Sequence, residues 1–466
     1  MKSPSSFENK VIHRNRKMGE DACEILATAL NAVDPYACVR QSIQKNSDSL
    51  IIGKKNHKLD RIRRIFIVGF GKASVPMAKA LIDSLDGGID RADVITKDKK
   101  FLEDNGYEDL LTVHLGSHPV PTKESVKSTR SILNALPDLT ENDLVLVVIS
   151  GGGSALFVDP YEGISLDDLQ SLTDLLLKSG ADIKEINTIR KHLDKVKGGR
   201  FASALAPAIV HALILSDVVG DHLDMIASGP TVPDPTTYDD AIAVLQNYGL
   251  EKKTPSSVMD VLLKGREGLL PETLKPGEIQ STRVINNLVG TNVRATSAAQ
   301  TCASKLGYHA LIVSTYLTGQ TKHVAEFIDG IIQTVIAHGL PLQSPACIIF
   351  GGETTVNVQG EGLGGRNMDL VLHMVPKLAN LPGVLFISLG TDGEDGPTDA
   401  AGAVADQMVY QQAVSSLEKG INTYIKVNDS YRFFERVGGL IKVGSTGTNV
   451  NDLIVVLIAK QKGYQP

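Results

Sequence analysis

Short apolar runs rich in β-branched residues alternate with helical patterns along almost the whole chain, and this alternation constrains the fold most. The runs that predict strands lie at residues 65–68, 93–96, 144–149, 212–215, 284–289, 311–313, 346–350, 384–389 and 453–458. Most are continuous rather than alternating in polarity, as in strands buried on both faces. Helical stripes separate them, and one follows the capping-box pattern Ser165-x-x-Asp168. The rhythm predicts an α/β fold with mostly parallel sheets and helices on both faces.

The length and one irregular stretch predict two domains. A chain of 466 residues exceeds the usual size of a single domain. Residues 248–283 break the strand–helix alternation and are rich in glycine, proline and mixed charges. We therefore place the boundary near residue 275, giving domains at 18–275 and 276–466. Residues 1–17 are expected to form a short frayed tail.

Charge, cysteine spacing and hydropathy exclude several classes of protein. With 47 Lys and Arg against 53 Asp and Glu, the net charge of −6 argues against a nucleic-acid partner. Four scattered cysteines predict neither a disulfide framework nor a zinc site, so they are expected to be reduced. No apolar run approaches the roughly 18 residues of a membrane span.

The N-terminus has basic residues and serines but no apolar stretch, which excludes a secretory signal. The expected location is therefore the cytoplasm, with a mitochondrial presequence as the weaker alternative. The oligomeric state, monomer or homodimer, stays open.

Polar residues follow five of the predicted strands. In open α/β sheets, ligands bind beyond the carboxyl ends of the strands. Glycine accompanied by serine, threonine, lysine or an acid occurs in five such segments: 69–74, 150–154, 216–221, 351–354 and 390–396. One such end is common by chance, but five predict a ligand cleft lined by both domains.

The first of these segments places a lysine between a strand and a helix. Gly69, Gly71 and Ser74 form a degenerate dinucleotide fingerprint, G-x-G-x-x-S, which is weak alone and has Lys72 at one of its variable positions. A lysine at the N-terminus of a helix opposes the helix dipole, and a bound anion removes that cost. Phosphate contact is the favoured interpretation of Lys72, and a surface lysine in a tight turn is the alternative.

The second segment, Ser150-Gly151-Gly152-Gly153-Ser154, contains three consecutive glycines. Glycines let the backbone approach a ligand and turn N–H groups towards an anion. No G-K-[ST] follows, so this is not a Walker A loop, and it lacks the first glycine of a nucleophile elbow. Phosphate contact is favoured over a plain tight turn.

Further cations occupy helices. A predicted helix over 185–198 would present Arg190 and Lys197 on one polar stripe, where they are expected to bind the anionic substrate, with a solvated charged face as the alternative. Arg366 follows glycines at the start of another predicted helix, where it fits bidentate recognition of a carboxylate or phosphate.

Acids at strand ends are the candidates for a metal ion. Mg²⁺ bound with a nucleotide takes one or two carboxylates besides phosphate oxygens and water. The candidates are Asp217, Asp221, Glu353 and Asp392, with Asp395 nearby. Any of them could instead be a helix cap or turn residue.

Together these segments resemble the glycerate 2-kinase family, whose C-terminal half is the MOFRL domain. The resemblance covers nearly the whole chain after residue 60. It is carried by Gly69-Phe70-Gly71-Lys72-Ala73, the Ser150–Ser154 loop, Asn187-Thr188-Ile189-Arg190-Lys191, Lys197-Gly198-Gly199, Ser216-Asp217-Val218-Val219-Gly220-Asp221, Ile226-Ala227-Ser228-Gly229-Pro230-Thr231, Gly351-Gly352-Glu353-Thr354, Gly364-Gly365-Arg366-Asn367, Gly390-Thr391-Asp392-Gly393 and Thr446-Gly447-Thr448-Asn449-Val450-x-Asp452.

The resemblance implies a Rossmann-like N-terminal domain, a second α/β domain and an active site between them. It implies phosphorylation of D-glycerate by ATP with Mg²⁺, usually giving 2-phosphoglycerate. Lys72 and Arg366 match the two family positions proposed to act in catalysis. On this interpretation Lys72 contacts the transferring phosphate, the glycine loop binds ATP phosphates, and Arg366 binds the substrate carboxylate or the transferring phosphate. Asp217 would bind Mg²⁺ or orient the attacking hydroxyl.

Two other classes stay open. One is an NAD(P)-dependent hydroxypyruvate reductase. Two features argue against it: Lys72 lies within a poor dinucleotide fingerprint, and the sequence has no clear ribose-binding acid. The other is a non-catalytic sensor of glycerate or nucleotide.

Overall fold

The computed structural model describes residues 1–103, 106–107, 109–278, 283–417 and 420–460. Contacts divide the chain into two compact units, one of residues 35–289 and one of residues 1–34 with 290–466. We call them the central unit and the terminal unit.

Strands make two six-stranded sheets and one three-stranded sheet within the described residues. They are β1 (Ile43–Lys45), β2 (Ser49–Ile52), β3 (Lys55–Lys58), β4 (Arg64–Phe70), β5 (Arg91–Thr96), β6 (Leu111–Leu115), β7 (Asp143–Ile149), β8 (Ile209–Leu215), β9 (Val284–Gly290), β10 (His309–Gln320), β11 (Ala346–Thr355), β12 (Val384–Gly390), β13 (Gly402–Ala405), β14 (Leu440–Ile441) and β15 (Asp452–Ile458).

Helices connect most of these strands. They are α1 (Lys10–Arg14), α2 (Lys17–Ala32), α3 (Pro35–Ser42), α4 (Ser74–Leu85), α5 (Lys100–Glu103), α6 (Lys123–Ala135), α7 (Gly153–Leu156), α8 (Leu166–Lys178), α9 (Ile183–His192), α10 (Arg200–Ala204), α11 (Tyr238–Asn247), α12 (Ser256–Arg266), α13 (Asn292–Lys305), α14 (Thr321–His338), α15 (Arg366–Met374), α16 (Gln407–Ser416), α17 (Ile421–Lys426) and α18 (Ser430–Val437).

The large sheet of the central unit has the strand order β6-β5-β4-β7-β8-β9. The pairs from β6 to β8 are all parallel. In chain order this is 3-2-1-4-5-6, the order of doubly wound nucleotide-binding sheets, and it reverses between β4 and β7. The loops that follow β4 and β7 therefore leave the sheet side by side at the point where such folds bind ligands.

The predicted apolar runs form strands, and several of these strands are buried on both faces. Every residue of β7 is buried, and in β4 every residue after Arg64 is buried. All nine predicted strands are confirmed. Strand β6 was not predicted, because His114 interrupts its apolar pattern. The strands β1, β2, β3, β13 and β14 were not predicted either, because they are short or polar.

The large sheet of the terminal unit is mixed, so the prediction of mostly parallel sheets is wrong for this half. Its order is β10-β11-β15-β12-β13-β14, and only β10 and β11 pair in parallel. Strand β15 comes last in the chain and inserts between β11 and β12, antiparallel to both. Asp452, at its start, therefore lies at the same sheet edge as the carboxyl ends of its neighbours.

The N-terminal segment is ordered, contrary to the expected frayed tail. Asn9 caps α1 by accepting hydrogen bonds from the backbone N–H groups of Val11 and Ile12. Phe7, Val11 and Ile12 are buried in the core of the terminal unit. The units thus differ from the predicted division at residues 18 and 275, because α2 packs on α13 of the terminal unit.

The predicted helix over 185–198 ends earlier. Helix α9 stops at His192, and Asp194 instead forms a bridge with Pro160 and accepts the backbone N–H of Val196 at 2.9 Å. Gly198 and Gly199 therefore do not cap this helix. Their N–H groups donate to the carbonyls of residues 228 and 229, at 3.0 and 2.7 Å.

Helix capping and the cysteines follow the sequence prediction. Ser165 and Asp168 form the expected reciprocal capping box at the start of α8. All four cysteines are free and buried. In the part of the chain that the structure describes, no helix is both long and apolar enough to cross a membrane.

Candidate active site

Two adjoining loops of the central unit are joined by hydrogen bonds at the switch point of the sheet. The backbone N–H of Lys72 donates to the carbonyl of Gly151 at 2.9 Å, and that of Ala73 donates to Ser150 Oγ at 2.9 Å. Gly71 has φ +124°, and a Cβ there would collide with Ser150. Glycine is therefore required for the two loops to approach so closely.

Lys72 lies directly before Ala73, the N-cap of α4. Its side chain is half-buried, and among the described residues its Nζ has no hydrogen-bond or ion-pair partner. The positive end of the helix dipole and the lysine charge thus coincide without a counter-ion. This is the electrostatic setting of an anion site.

The loop of residues 150–154, here called the glycine loop, turns from β7 into the short helix α7. Gly152 has φ +84° and packs against the ring of His118, which the sequence analysis did not single out. Burial, together with the charges of Lys72 and Lys97, lowers the pKa of His118 to about 4. A neutral imidazole therefore lies beside two lysines at neutral pH.

The carboxylate of Asp217 lies against Gly151 in the glycine loop. Asp217 follows β8, so the structure brings this predicted residue next to the loops after β4 and β7. Asp221 lies four residues on, with φ +54°, and burial raises its pKa although Ser216 donates a hydrogen bond to it. Of the predicted acids of the central unit, Asp217 is thus the one in contact with the glycine loop.

Arg190 and Lys197 line one cavity of about 320 Å³ in the central unit, but their environments differ. Lys197 Nζ donates to the carbonyls of Ser154 and Phe157, each at 2.9 Å, and lies 3.7 Å from Asp194. Arg190 has no such partner among the described residues, and burial lowers its pKa. Lys197 therefore fixes α7 in place, whereas the guanidinium of Arg190 is available to a ligand.

A strained segment supports the glycine loop and escaped the sequence analysis as a site. Ala227 and Ser228 have φ +51° and +62°, a conformation that costs energy for residues other than glycine. Ser228 Oγ lies 3.1 Å from Ser154 Oγ and donates to Asn187 Oδ1 at 3.0 Å. The sequence of this segment is Ala-Ser-Gly-Pro, which is typical of a turn. None of these residue types by itself indicates a functional role.

In the terminal unit, Arg366 is the first residue of α15, as predicted. Its Nε and Nη2 donate to the two carboxylate oxygens of Asp452 at 2.6 and 2.9 Å, and its Nη1 lies 3.0 Å from Glu353 Oε1. Burial alone would lower the pKa of Arg366, but these carboxylates outweigh it and raise the pKa. The arginine is held rigidly at the sheet edge.

The carboxylates around Arg366 differ in burial, since Asp395 and Asp452 are buried and the Glu353 side chain is 43% exposed. Burial raises the pKa values of Glu353 and Asp452, and raises that of Asp395 to about 7. Asp395 accepts the backbone N–H groups of Asn367 and Met368 at 3.0 and 2.8 Å, and so caps α15. Glu353 lies inside β11, which continues to Thr355 rather than ending before Gly351 as predicted.

Asp452 is the main residue of this group that the sequence analysis left without a role. It is 2% exposed, accepts Arg366, and also accepts Asn367 Nδ2 at 3.0 Å. Its signals in the sequence were an acid at the start of an apolar strand and its place at the end of the motif at residues 446–452. Asp392, in contrast, accepts the backbone N–H of Glu394 at 3.1 Å, as a turn residue does.

The predicted metal ligands are spread over both units, with Asp217 and Asp221 in one and Glu353 and Asp392 in the other. Among the described residues, no three histidine, cysteine or acidic side chains are grouped so that they could hold a metal ion.

Comparison with known proteins covers nearly the whole chain. A domain of unknown function, DUF4147, matches residues 21–263, and the MOFRL family matches residues 346–452. The chain is 41% identical to a D-glycerate 2-kinase of Thermotoga maritima, over 94% of this chain and 97% of the relative. It is 39% identical to a glycerate 2-kinase of Pyrococcus horikoshii, over 95% and 98%.

A solved structure and a further relative extend this comparison. The crystal structure of a glycerate kinase from Thermotoga maritima superposes with a TM-score of 0.82, at 41% identity, covering 94% of this chain and 99% of that one. A protein of Agrobacterium vitis described as a putative hydroxypyruvate reductase is 38% identical over 85% of this chain and 87% of its own length.

Proposed function

Because the chain belongs to the glycerate kinase family, we propose that it transfers the γ-phosphoryl group of ATP to a hydroxyl of D-glycerate, giving 2-phosphoglycerate. The single observation that carries this proposal is Lys72, which has no counter-ion among the described residues and lies at the switch point beside the glycine loop. Phosphoryl transfer demands positioning and charge neutralisation rather than covalent chemistry by the protein. A preformed cation at an anion-binding helix end meets that demand.

In this proposal each predicted residue acts by charge and hydrogen bonding. Lys72 contacts the transferring phosphate, and backbone N–H groups of the glycine loop bind the ATP phosphates. The substrate oxygen forms a bond to the γ-phosphorus as the bond to the β-phosphate oxygen breaks, ADP leaves, and the hydroxyl proton passes to the solvent. Asp217, in contact with Gly151, is placed to orient that hydroxyl or to share Mg²⁺ with the phosphates.

Arg366 is the proposed ligand of the glycerate carboxylate or the transferring phosphate. Its fork already binds Asp452 in a bidentate manner, so Asp452 and Glu353 act as positioning residues that fix its direction. A substrate anion would then meet a guanidinium whose orientation needs no further ordering.

Mg²⁺ is proposed to bind with the nucleotide rather than to a site made wholly by the protein. One or two carboxylates, phosphate oxygens and water complete its octahedral shell. Asp217 is the best-placed acid of the central unit, and Asp221, Glu353 and Asp392 are the remaining candidates.

Product analysis tests the proposal. The purified protein is incubated with D-glycerate, ATP and Mg²⁺, and the phosphorus and carbon NMR spectra identify the product. We expect 2-phosphoglycerate with one ADP formed for each glycerate consumed, and no turnover when Mg²⁺ is chelated. 3-Phosphoglycerate would contradict the assigned hydroxyl, and absence of any phosphoglycerate would contradict the kinase.

A reductase is the second candidate because the relative from Agrobacterium vitis carries that description. Dinucleotide-binding folds place an acid for the ribose near the end of the second strand, which here is β5. The residues that follow β5 are Lys97 and Asp98, and Asp98 Oδ2 lies 2.7 Å from Lys100 Nζ. We therefore expect no NADH oxidation on addition of hydroxypyruvate, which a spectrophotometric assay at 340 nm measures.

A further inference from the structure

The cavity that Arg190 lines has a shape and chemistry that phosphate binding alone does not explain. One wall is apolar and comes from α8, α9 and the residue after α9, with Leu169, Leu172, Leu176, Ile189 and Leu193. Ser154 and Ala155, at the end of the glycine loop, form another part of the lining. The cavity thus adjoins the proposed phosphate site within the central unit.

Its size and polarity argue against glycerate as the occupant. A volume of about 320 Å³ lies at the lower end of the range for small-molecule sites. Glycerate has three carbons and four oxygens, and an apolar wall would leave most of those oxygens without hydrogen bonds. A flat apolar group, in contrast, would remove both itself and the leucines from water.

The cavity is lined by two cations, Arg190 and Lys197, and by two carboxylates, Asp174 and Asp194, but these charges are not all paired. The Lys197 ammonium is offset by Asp194 and held by two carbonyls, but the guanidinium of Arg190 has no carboxylate partner among the described residues. A half-buried cation of this kind gains most from an anion that arrives with the ligand. The occupant therefore combines an apolar planar part with a negatively charged group.

We infer that this cavity receives the base and ribose of the nucleotide donor, and that Arg190 binds the phosphate next to the ribose. The phosphate chain then continues past Ser154 to the glycine loop and Lys72. This inference rests on the proposed nucleotide-dependent kinase, and it assigns Arg190 to the nucleotide rather than to glycerate.

The chain has no tryptophan, which allows a direct test of binding. Leu169→Trp places a single indole in the cavity wall, and Leu177→Trp places one on the exposed side of the same helix, where Leu177 is 59% exposed. AMP is the probe because it has no transferable γ-phosphate. We expect AMP to change the emission of Leu169→Trp and to leave that of Leu177→Trp unchanged.

Calorimetry with the same variants measures the Kd for AMP. It distinguishes a cavity that the indole has filled from a cavity that does not bind AMP. If the indole fills the cavity instead of reporting on it, the Kd for AMP should rise at least ~10-fold while the Kd for tripolyphosphate stays within about twofold, which also supports the inference. Unchanged emission of Leu169→Trp together with a wild-type Kd for AMP would overturn it. So would a wild-type protein that binds ATP and tripolyphosphate equally tightly.

Arg190→Gln tests the phosphate contact, with the exposed Arg266→Gln as its matched control. We expect the Kd for AMP to rise ~10-fold and that for adenosine to change less than twofold. The melting temperature should not fall, since Arg190 has no partner to lose among the described residues. A variant that weakens glycerate binding but not AMP binding would return Arg190 to the substrate.

The inference and the proposed function fail in different ways. If wild-type protein phosphorylates glycerate with ATP while the cavity variants keep its KM and Kd for the nucleotide, only the assignment of the cavity is wrong. If wild-type protein forms no phosphoglycerate, the proposed function itself is wrong.

Discussion

The two units hold their proposed catalytic cations in opposite ways. Lys72 of the central unit has no carboxylate partner among the described residues, whereas Arg366 of the terminal unit is bound by Asp452 and Glu353. A cation without a partner meets its first counter-charge when a ligand binds. A paired cation also stabilises its own unit, so removing it or its partner should affect folding as well as activity.

The largest effect is expected for Lys72→Ala. Loss of one preorganised charge at the transferring phosphate should lower kcat by ~10²–10³-fold. Thermal stability should stay the same or rise slightly, because the lysine opposes the dipole of α4 and has no ion pair to lose. Steady-state kinetics and thermal unfolding measure both quantities.

The exposed Lys178→Ala serves as the control for this variant and should retain normal kcat. A near-normal kcat for Lys72→Ala would make Lys72 a surface lysine in a tight turn. A large loss of stability would contradict the contrast between the two units.

Unlike Lys72→Ala, Asp452→Asn should lower the stability of the protein as well as its activity. It removes the bidentate acceptor of Arg366 from a site where the aspartate side chain is 3% exposed, and breaking such a pair costs about 3 kcal/mol of unfolding free energy. The kcat should fall as well, because Arg366 loses its fixed direction. Denaturant unfolding and steady-state kinetics test the two effects.

Glu353→Gln is the comparison variant for Asp452→Asn, because it removes a weaker contact with the same arginine. The Glu353 side chain is 43% exposed and contacts one nitrogen of Arg366, so its loss should cost less than 1 kcal/mol. Equal losses from the two variants would show that bidentate pairing with Asp452 does not hold the arginine.

The sequence predicted the local features of both units better than their long-range arrangement. The runs around β4 and β7 and the helix start at Arg366 depend on neighbouring residues, which periodicity and glycine placement report. The insertion of β15 between β11 and β12 depends on pairs of residues 62 to 112 positions apart, and no local pattern encodes it.

The same distinction explains what was missed in the sites. Lys72 and Arg366 stand beside glycines in sequence, so their settings could be inferred. His118 and Asp452 reach their neighbours through the sheet, at separations of 34 residues from Gly152 and 86 from Arg366. The predicted helix was extended past His192, whereas Lys197 lies outside α9 and donates to the carbonyls of Ser154 and Phe157.

Arg366→Lys tests whether geometry or charge matters in the terminal unit. Lysine keeps the charge but cannot form the planar fork that binds Asp452 and a substrate carboxylate. We expect at least a ~10-fold loss in kcat/KM for glycerate, about 1.4 kcal/mol, and a much smaller change in the KM for ATP.

The control for this variant is Arg432→Lys, at a side chain 59% exposed in the same unit. Equal impairment towards ATP and glycerate would move Arg366 to the transferring phosphate. An unimpaired enzyme would remove Arg366 from the site.

The smallest expected effect is the change in the free energy of unfolding when the pH is lowered, and the sign of this change differs between the units. His211 of β8 lies with its Nε2 2.8 Å from His57 Nε2, and burial together with the charge of His57 lowers its pKa to about 3. Below its ordinary pKa of 6.5, unfolded protein therefore takes up a proton that folded protein does not. The free energy of unfolding should fall by about 1 kcal/mol from this group between pH 6.5 and 5.5.

In the terminal unit the sign is opposite. The pKa of Asp395 is raised to about 7, so its contribution is present in acid and is lost as the pH rises towards neutrality. Denaturant unfolding of His211→Leu at pH 6.5 and 5.5 isolates the histidine term, with the exposed His323→Leu as control. We expect His211→Leu to reduce the acid-induced loss by about 1 kcal/mol and His323→Leu to leave it unchanged. An unaltered loss in His211→Leu would mean that the paired histidines of the central unit are protonated in the folded protein, and the contrast in acid response would not hold.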